Sequence, residues 1–418
     1  MTLNTQQPLS PRGITYLLTL VYFSGYLTRV NFASIIQEVV TDTGFEKSAL
    51  SVIPVCLFIT YAVGQIVNGR LGDKLDPRTL IFFGLSVSSL INLIFPFCAA
   101  SIPVMCVLWG VNGFVQAMLW PPIIRIMVRA MSEREYTSNV VLLTMGSTGA
   151  KVLIFLLAPV VIIIGGWRTV FYVCAGFGVA VSVLFFLYRS RIPMQTAQTD
   201  ERDTAKEQKH PLPRTVWMPL IFIFLAIILH GALRDGLDTW MPSYLVEVFD
   251  FGNSEAILSR VLLSIFALLA IMISKSIYRR FFQNEVACCA LLFLVSTLGS
   301  LVLFLFFDRS AFLVIPLMML VSGIQGGINL MLISYVPKRF RLYGGISTIT
   351  GLLDAFAYVG SALSTYGVAA LAERFGWSFT TGSWLVTSAL GTLCVLVAMR
   401  PWHKFFKPAN EAAVGEKC

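Results

Sequence analysis

Apolar runs of roughly twenty residues recur along nearly the whole chain. At 1.5 Å per residue, about 20 helical residues cross the roughly 30 Å of hydrocarbon in a bilayer. The remaining surface is too poor in charge to hold such runs in water. Of the 418 residues, 56% are apolar and 13% charged, against about 25% charged in soluble domains. Lipid offers backbone N–H and C=O groups no partner, so the spans must be helices or a closed barrel, and a barrel would show short alternating strands instead. Twelve helical spans are expected near 14–36, 49–71, 78–99, 102–130, 137–163, 168–188, 215–246, 255–276, 284–306, 311–336, 343–372 and 378–399.

Charge placement orients these spans. Of 31 Lys and Arg, five fall inside spans (Arg29, Arg125, Lys151, Arg234, Arg260) and four in alternate loops (Lys47, Arg168, Arg309, Arg374). The other 22 lie in the opposite set, among them Arg70, Lys74, Arg78, Arg129, Arg134, Lys275, Lys338, Arg339 and Arg341. Basic loops stay in the cytoplasm, which places both termini there and the acidic loops carrying Glu38, Asp42, Glu46, Glu247, Asp250 and Glu255 outside. Topology therefore accounts for the net charge of +9 without nucleic acid as a partner. The polar start, Met1 to Arg12, has no A-x-A-like cleavage site, so no removable signal peptide is expected. The eight cysteines lie mostly within spans and lack CxxC spacing, as packing thiols do. Neither a metal nor a cofactor is expected.

Ser190 to Arg214 is rich in Thr, Gln, Lys, Asp and Glu and reads as a cytoplasmic linker. The chain then divides into a bundle at 1–189, the linker at 190–214, a second bundle at 215–400 and a tail at 401–418. The halves align: Arg29 with Arg234, Ser132-Glu133-Arg134 with Pro337-Lys338-Arg339, Gly166-Trp167 with Gly376-Trp377. Offsets of 205, 205 and 210 residues point to an internal repeat of six helices. The expected fold is an all-α membrane protein of twelve helices in two pseudo-symmetric bundles.

A charge at the bilayer centre costs at least about 2.5–3.5 kcal/mol on insertion scales, so each needs a partner or a wet cavity. Inside the spans, five cations face three anions, Asp235, Asp238 and Asp354, which leaves room for an anionic ligand. Arg29 and Arg234 lie near mid-span and offer planar forks suited to phosphate, carboxylate or phosphonate. The bland reading pairs each with a helix acid. Arg234 has Asp238 four residues on, whereas span 1 holds no acid. Lys151 reads equally as a third cation of the site or as the partner of Asp354. Arg125 and Arg260 lie nearer helix ends, where snorkelling is expected. Tyr26, Asn31, Tyr61, Gln65, Asn112, Gln116, Trp120, His230 and Tyr358 are polar neighbours able to hydrogen-bond or stack on a solute, against the commoner packing role of such residues.

The loop Gly69-Arg70-Leu71-Gly72-Asp73-Lys74-Leu75-Asp76-Pro77-Arg78 resembles the G-x-x-x-D-[RK] signature between helices 2 and 3 of the major facilitator superfamily. It implies a conformational latch of Gly69, Asp73, Arg78 and Arg129, in which Asp73 caps a facing helix or pairs with an arginine. Tyr26-Leu27-Thr28-Arg29-Val30-Asn31-Phe32-Ala33 is similar to the helix 1 motif of organophosphate:phosphate antiporters. So are Tyr61 through Arg78 in helix 2, Asn112-Gly113 with Gln116 and Trp120-Pro121-Pro122 in helix 4, Arg234 through Leu245 in helix 7, and Pro337-Lys338 after helix 10. That resemblance implies that Arg29 and Arg234 bind a phosphoryl group. The chain departs from the pattern at Val30 and Gln65, where the antiporters carry lysines, and near Met145, where the bacterial ones carry a histidine. A weaker resemblance to anion:cation symporters meets Thr28 and Gln116 where those proteins carry the acids that take up a proton.

The expected function is a monomeric secondary transporter in the plasma (inner) membrane, exchanging a small organic anion, an organophosphate of the sugar phosphate or glycerol phosphate kind, for inorganic phosphate by alternating access. The candidate substrate residues are Arg29, Arg234, Lys151, Tyr26, Asn31, Tyr61, Gln65, Gln116, Trp120, His230, Asp238 and Tyr358. The alternatives are a proton- or sodium-coupled symporter of a carboxylate or phosphonate, and a transporter-like ligand sensor. An enzyme is not expected, since no Ser-His-Asp constellation, metal cluster or phosphate-cradling glycine loop is present.

Overall fold

The computed structural model describes residues 8–193, 214–341 and 343–415. Most of the expected linker, 194–213, lies outside them, as do Cys418 and the side chains of Glu255 and Arg260. The described residues hold helices and turns and no strand. Eleven helical stretches are long and apolar enough to cross a membrane. The first helix, α1 (Pro11–Thr43), adds a twelfth of 33 residues.

The chain divides into two compact units, Met1–His210 with Phe340–Leu352, and Pro211–Arg339 with Leu353–Cys418. The first unit contains α1, α2 (Lys47–Lys74), α3 (Pro77–Ile94), α4 (Ile102–Gln116), α5 (Trp120–Ala130), α6 (Glu133–Gly165) and α7 (Trp167–Tyr188). Its helices start where side chains cap them: Ser10 before Pro11, Asp76 before Pro77, and a Ser132–Glu135 capping box before α6. Inside it α1 packs on α6, α2 on α4 and α3 on α7. A ring cluster of Phe32, Phe95, Trp109 and Phe171, with centroids 4.8–5.9 Å apart, fills its core.

The fourth expected span, 102–130, is two helices rather than one. Pro121 and Pro122 have no N–H to give the carbonyls a turn earlier. The chain instead tightens, Met118 N donating to Val115 O at 3.0 Å and Leu119 N to Gln116 O at 3.1 Å. A new helix then begins at Trp120.

The second unit contains α8 (Trp217–Phe249), α9 (Asn253–Ile277), α10 (Glu285–Leu305), α11 (Ala311–Asn329) and a long helical stretch from Ile346 to Gly415. That stretch breaks at Gly376 into α12 (346–375) and α13 (377–415), with the first seven residues of α12 belonging to the first unit. Here α9 packs on α11 as α2 packs on α4, the same second-on-fourth pairing. The repeat extends to the connections. Gly166 has φ 74 and ψ 173, and Gly376 has φ 77 and ψ 177, a backbone region essentially closed to side-chain-bearing residues. The tryptophan after each donates its indole N–H to an acid at the end of its own unit's first helix. Trp167 bonds Asp42 at 3.0 Å and Trp377 bonds Glu247 at 2.8 Å. Asp42 and Glu247 are again 205 residues apart.

Candidate anion-binding groups in the two units

In the first unit Arg29 is held by the helix behind it. Gln116 donates to Gly25 O at 2.8 Å, Thr28 Oγ1 at 2.9 Å and Ser88 Oγ at 2.7 Å. Asn112 donates to Thr28 O at 3.0 Å and accepts from Ser88 Oγ at 2.7 Å. Asn92 donates to Thr28 O at 2.9 Å, and Asn31 donates to Asn92 Oδ1 at 2.7 Å. All these side chains are buried. Asn31, Asn112 and Gln116, read from sequence as neighbours of a solute, thus spend their polar atoms on clamping α1, α3 and α4 together at Thr28. That clamp ties down the backbone next to Arg29.

The Arg29 side chain is 8% exposed and lies between aromatic rings, its Cζ 4.2 Å from the Tyr26 centroid and 4.7 Å from Tyr61. Ring faces carry negative potential and stabilise a guanidinium by about 0.5–2 kcal/mol each. Lys151 Nζ lies 6.0 Å from the same Tyr26 ring, so two cations of this unit meet on one tyrosine. Tyr22 continues the aromatic line from Tyr26 to Trp120, at 5.1 and 4.9 Å. Gln65 and Trp120 are also buried, but both amide atoms of Gln65 and the indole Nε1 of Trp120 have no hydrogen-bond partner among the described residues. Leaving a buried polar group unmatched costs about 1–3 kcal/mol, and such groups in a folded protein call for an explanation.

In the second unit Arg234 is also surrounded by acceptors. Its Nε and Nη2 each donate to Asp235 at 2.8 Å, Nη1 donates to Asn329 Oδ1 at 3.3 Å, and Nη2 reaches Ser361 Oγ at 3.3 Å. The Tyr358 ring lies 5.8 Å from its Cζ. The sequence pointed to Asp238 as the acid for Arg234, from i,i+4 spacing. The structure shows a bidentate pair with Asp235. His230 is fully buried, Nδ1 2.9 Å from Gln325 Oε1 and Nε2 3.3 Å from Asn329 Oδ1. Gln325 is set in turn by its Nε2, which donates to Ser296 Oγ at 3.2 Å.

The loop after α2 serves the first unit differently. Asp73 accepts from the backbone N–H groups of Ser347 and Thr348 at 3.0 and 2.8 Å, and from Thr348 Oγ1 at 2.7 Å. It thereby caps the first turn of α12, where unpaired N–H groups and the helix dipole favour an anion. A methyl at Gly69 would sit 2.9 Å from Ser347 O, and one at Gly351 2.1 Å from Gln65 O, so these glycines allow the approach. Arg78 holds Asp76 rather than Asp73, at 3.0 Å. Burial works to raise the Asp76 carboxyl, but its hydrogen bonds from Arg78 leave it below the usual carboxylate value. Arg129 is exposed in the last turn of α5. Arg125, expected to snorkel, instead donates to the carbonyls of Gly72 and Leu75 at the end of α2.

Asp235, Asn329 and Ser361 were missed as neighbours of Arg234, and Gln325 as the partner of His230. Part of the signal was present, since Gln116 and Gln325, and Trp120 and Asn329, share an offset of 209 close to that of the repeat. Ser361 carried no such mark.

Comparisons agree with this architecture. The chain is 24% identical to a probable hexose phosphate transport protein of Chlamydia trachomatis, covering 93% of this chain and 90% of that one. It is also 24% identical to a glycerol-3-phosphate transporter of Bacillus subtilis, covering 91% and 90%. A membrane sensor protein of Escherichia coli, UhpC, is 22% identical over 93% and 91%. Among solved structures, the transporter FucP in its outward conformation superimposes with a TM-score of 0.69 over 93% of this chain and 98% of that one, at 13% identity. The sequence profile of the Major Facilitator Superfamily matches residues 18–365. The chain is an integral membrane protein and belongs to the Major Facilitator Superfamily.

Proposed function

We propose that the protein is a secondary transporter that exchanges an organophosphate, of the hexose phosphate or glycerol phosphate kind, for inorganic phosphate by alternating access. The observation that carries this reading is the pair Arg29 and Arg234. Each lies on the first helix of its unit at a 205-residue offset, and each is surrounded by rings or acceptors rather than by lipid. Relatives that match over nine-tenths of their length are phosphate-ester transporters by name. Lys151 joins Arg29 on Tyr26 as a further positive group, and restores one of the two charges lost at Val30 and Gln65. Gln65 and Trp120, with unmatched polar atoms, supply neutral hydrogen bonds for the rest of the solute. Bundles at 1–189 and 215–400, joined by the linker at 190–214, rock about the bound anion, with both termini in the cytoplasm. Asp73 and its cap on α12 serve as the latch.

The test is counterflow in proteoliposomes. Labelled phosphate outside should enter vesicles loaded with phosphate, glycerol 3-phosphate or hexose 6-phosphate, and stay out of vesicles loaded with sulfate alone. Uptake driven by an inward proton gradient into vesicles with no exchangeable anion would favour the symporter. Resemblance to a membrane sensor supports a second reading, in which the ligand binds but does not move. Saturable phosphate-ester binding without counterflow would favour it.

A further inference from the structure

We infer that Asp235 is an internal competitor for Arg234, a carboxylate that occupies the arginine fork until a substrate oxyanion displaces it. The inference deepens the function proposed above and rests on Arg234 as an anion ligand.

The Nε and Nη2 edge of a guanidinium is one of its two-pronged faces for phosphate or carboxylate. In this structure Asp235 takes that edge with both carboxylate oxygens at 2.8 Å. Adjacent helix residues do not ordinarily face each other. Both side chains remain reachable, 23% and 22% exposed, unlike the 0% exposed His230 and Gln325 beneath them. An arginine inside the membrane needs a partner or a wet cavity, and a carboxylate or an oxyanion is a strong partner for it. Asp235 supplies it in the empty protein, and the substrate supplies it in the loaded one. On displacement the Asp235 carboxylate keeps its own exposed surface, and Asn329 and Ser361 continue to hold the remaining Arg234 N–H groups. The site thus accepts an anion strong enough to outbid a carboxylate, which favours a phosphate dianion over a monoanion.

The opposite account makes Asp235 a positioning residue that aims Arg234 at the substrate. The two predict changes of opposite sign. Equilibrium binding of labelled inorganic phosphate to the purified full chain in detergent should be about tenfold tighter in Asp235→Asn, because the competent state is no longer a minor fraction. Asp235→Ala should bind tighter as well, and serves if the asparagine variant does not fold. Unchanged or weaker binding in a folded variant, judged by an unaltered thermal transition, would overturn the inference and leave the function standing. Phosphate bound by neither the wild type nor the variants would overturn both.

Discussion

Arg29, the proposed anion ligand of the first unit, shows how one side chain depends on residues that need never meet a solute. The Gln116 amide nitrogen lies within hydrogen-bonding distance of three acceptors around Thr28, so Gln116→Leu should lower stability by about 1–3 kcal/mol. Thermal unfolding in detergent would register this. A variant with wild-type stability but weakened phosphate binding would instead return Gln116 to the substrate. Arg29→Lys keeps the charge but loses the planar fork and its stacking between Tyr26 and Tyr61. Counterflow by that variant should fall at least about tenfold, the cost of roughly 1.4 kcal/mol of lost interaction. Retention of near-normal exchange would remove Arg29 from the site. Lys151→Gln should weaken phosphate binding nearly as much as Lys151→Ala, because charge rather than bulk is what it brings to Tyr26. These residues differ in legibility. A lone arginine in an apolar run announces itself, while Asn31 and Gln116 look the same in sequence whether they face a solute or a neighbouring helix.

At the scale of elements, two glycines determine where helices end. Nothing lies within 4 Å of a methyl built on Gly166 or Gly376, so any cost of adding one comes from the backbone alone. Gly376→Ala should destabilise by about 1–3 kcal/mol, because φ 77 with ψ 177 is closed to alanine. Gly176, helical and equally uncrowded, is the control, and its alanine variant should be neutral or slightly stabilising. Equal transition temperatures for the two variants would argue against strain at the break. The Gly-Trp pairs were visible as a repeat, but not their purpose. Only the fold brings each tryptophan to the acid that ends its unit's first helix. The break between α4 and α5 was legible in hindsight from Pro121-Pro122, though hydropathy runs through it without a pause.

For the whole molecule, the basic loops predict a testable orientation. In a background without native cysteines, a cysteine at position 309 should react with a membrane-impermeant maleimide added to intact cells. One at position 74 should react only once the membrane is opened. Both side chains are exposed, so access to the reagent, not burial, decides the result. The reverse pattern would invert the topology.

Apolar run length determines the number of spans, because the bilayer imposes it on any chain, and loop charge supplies the expected orientation. The repeat and the paired arginines were equally available from residue order. Partner choice was not. Asp235 on the fork of Arg234, Asp73 on the first turn of α12, and Arg125 on the carbonyls of α2 each turn on where a flexible polar side chain comes to rest. Sequence spacing names the candidates within reach, but only the packed helices bring particular donors and acceptors to hydrogen-bonding distance.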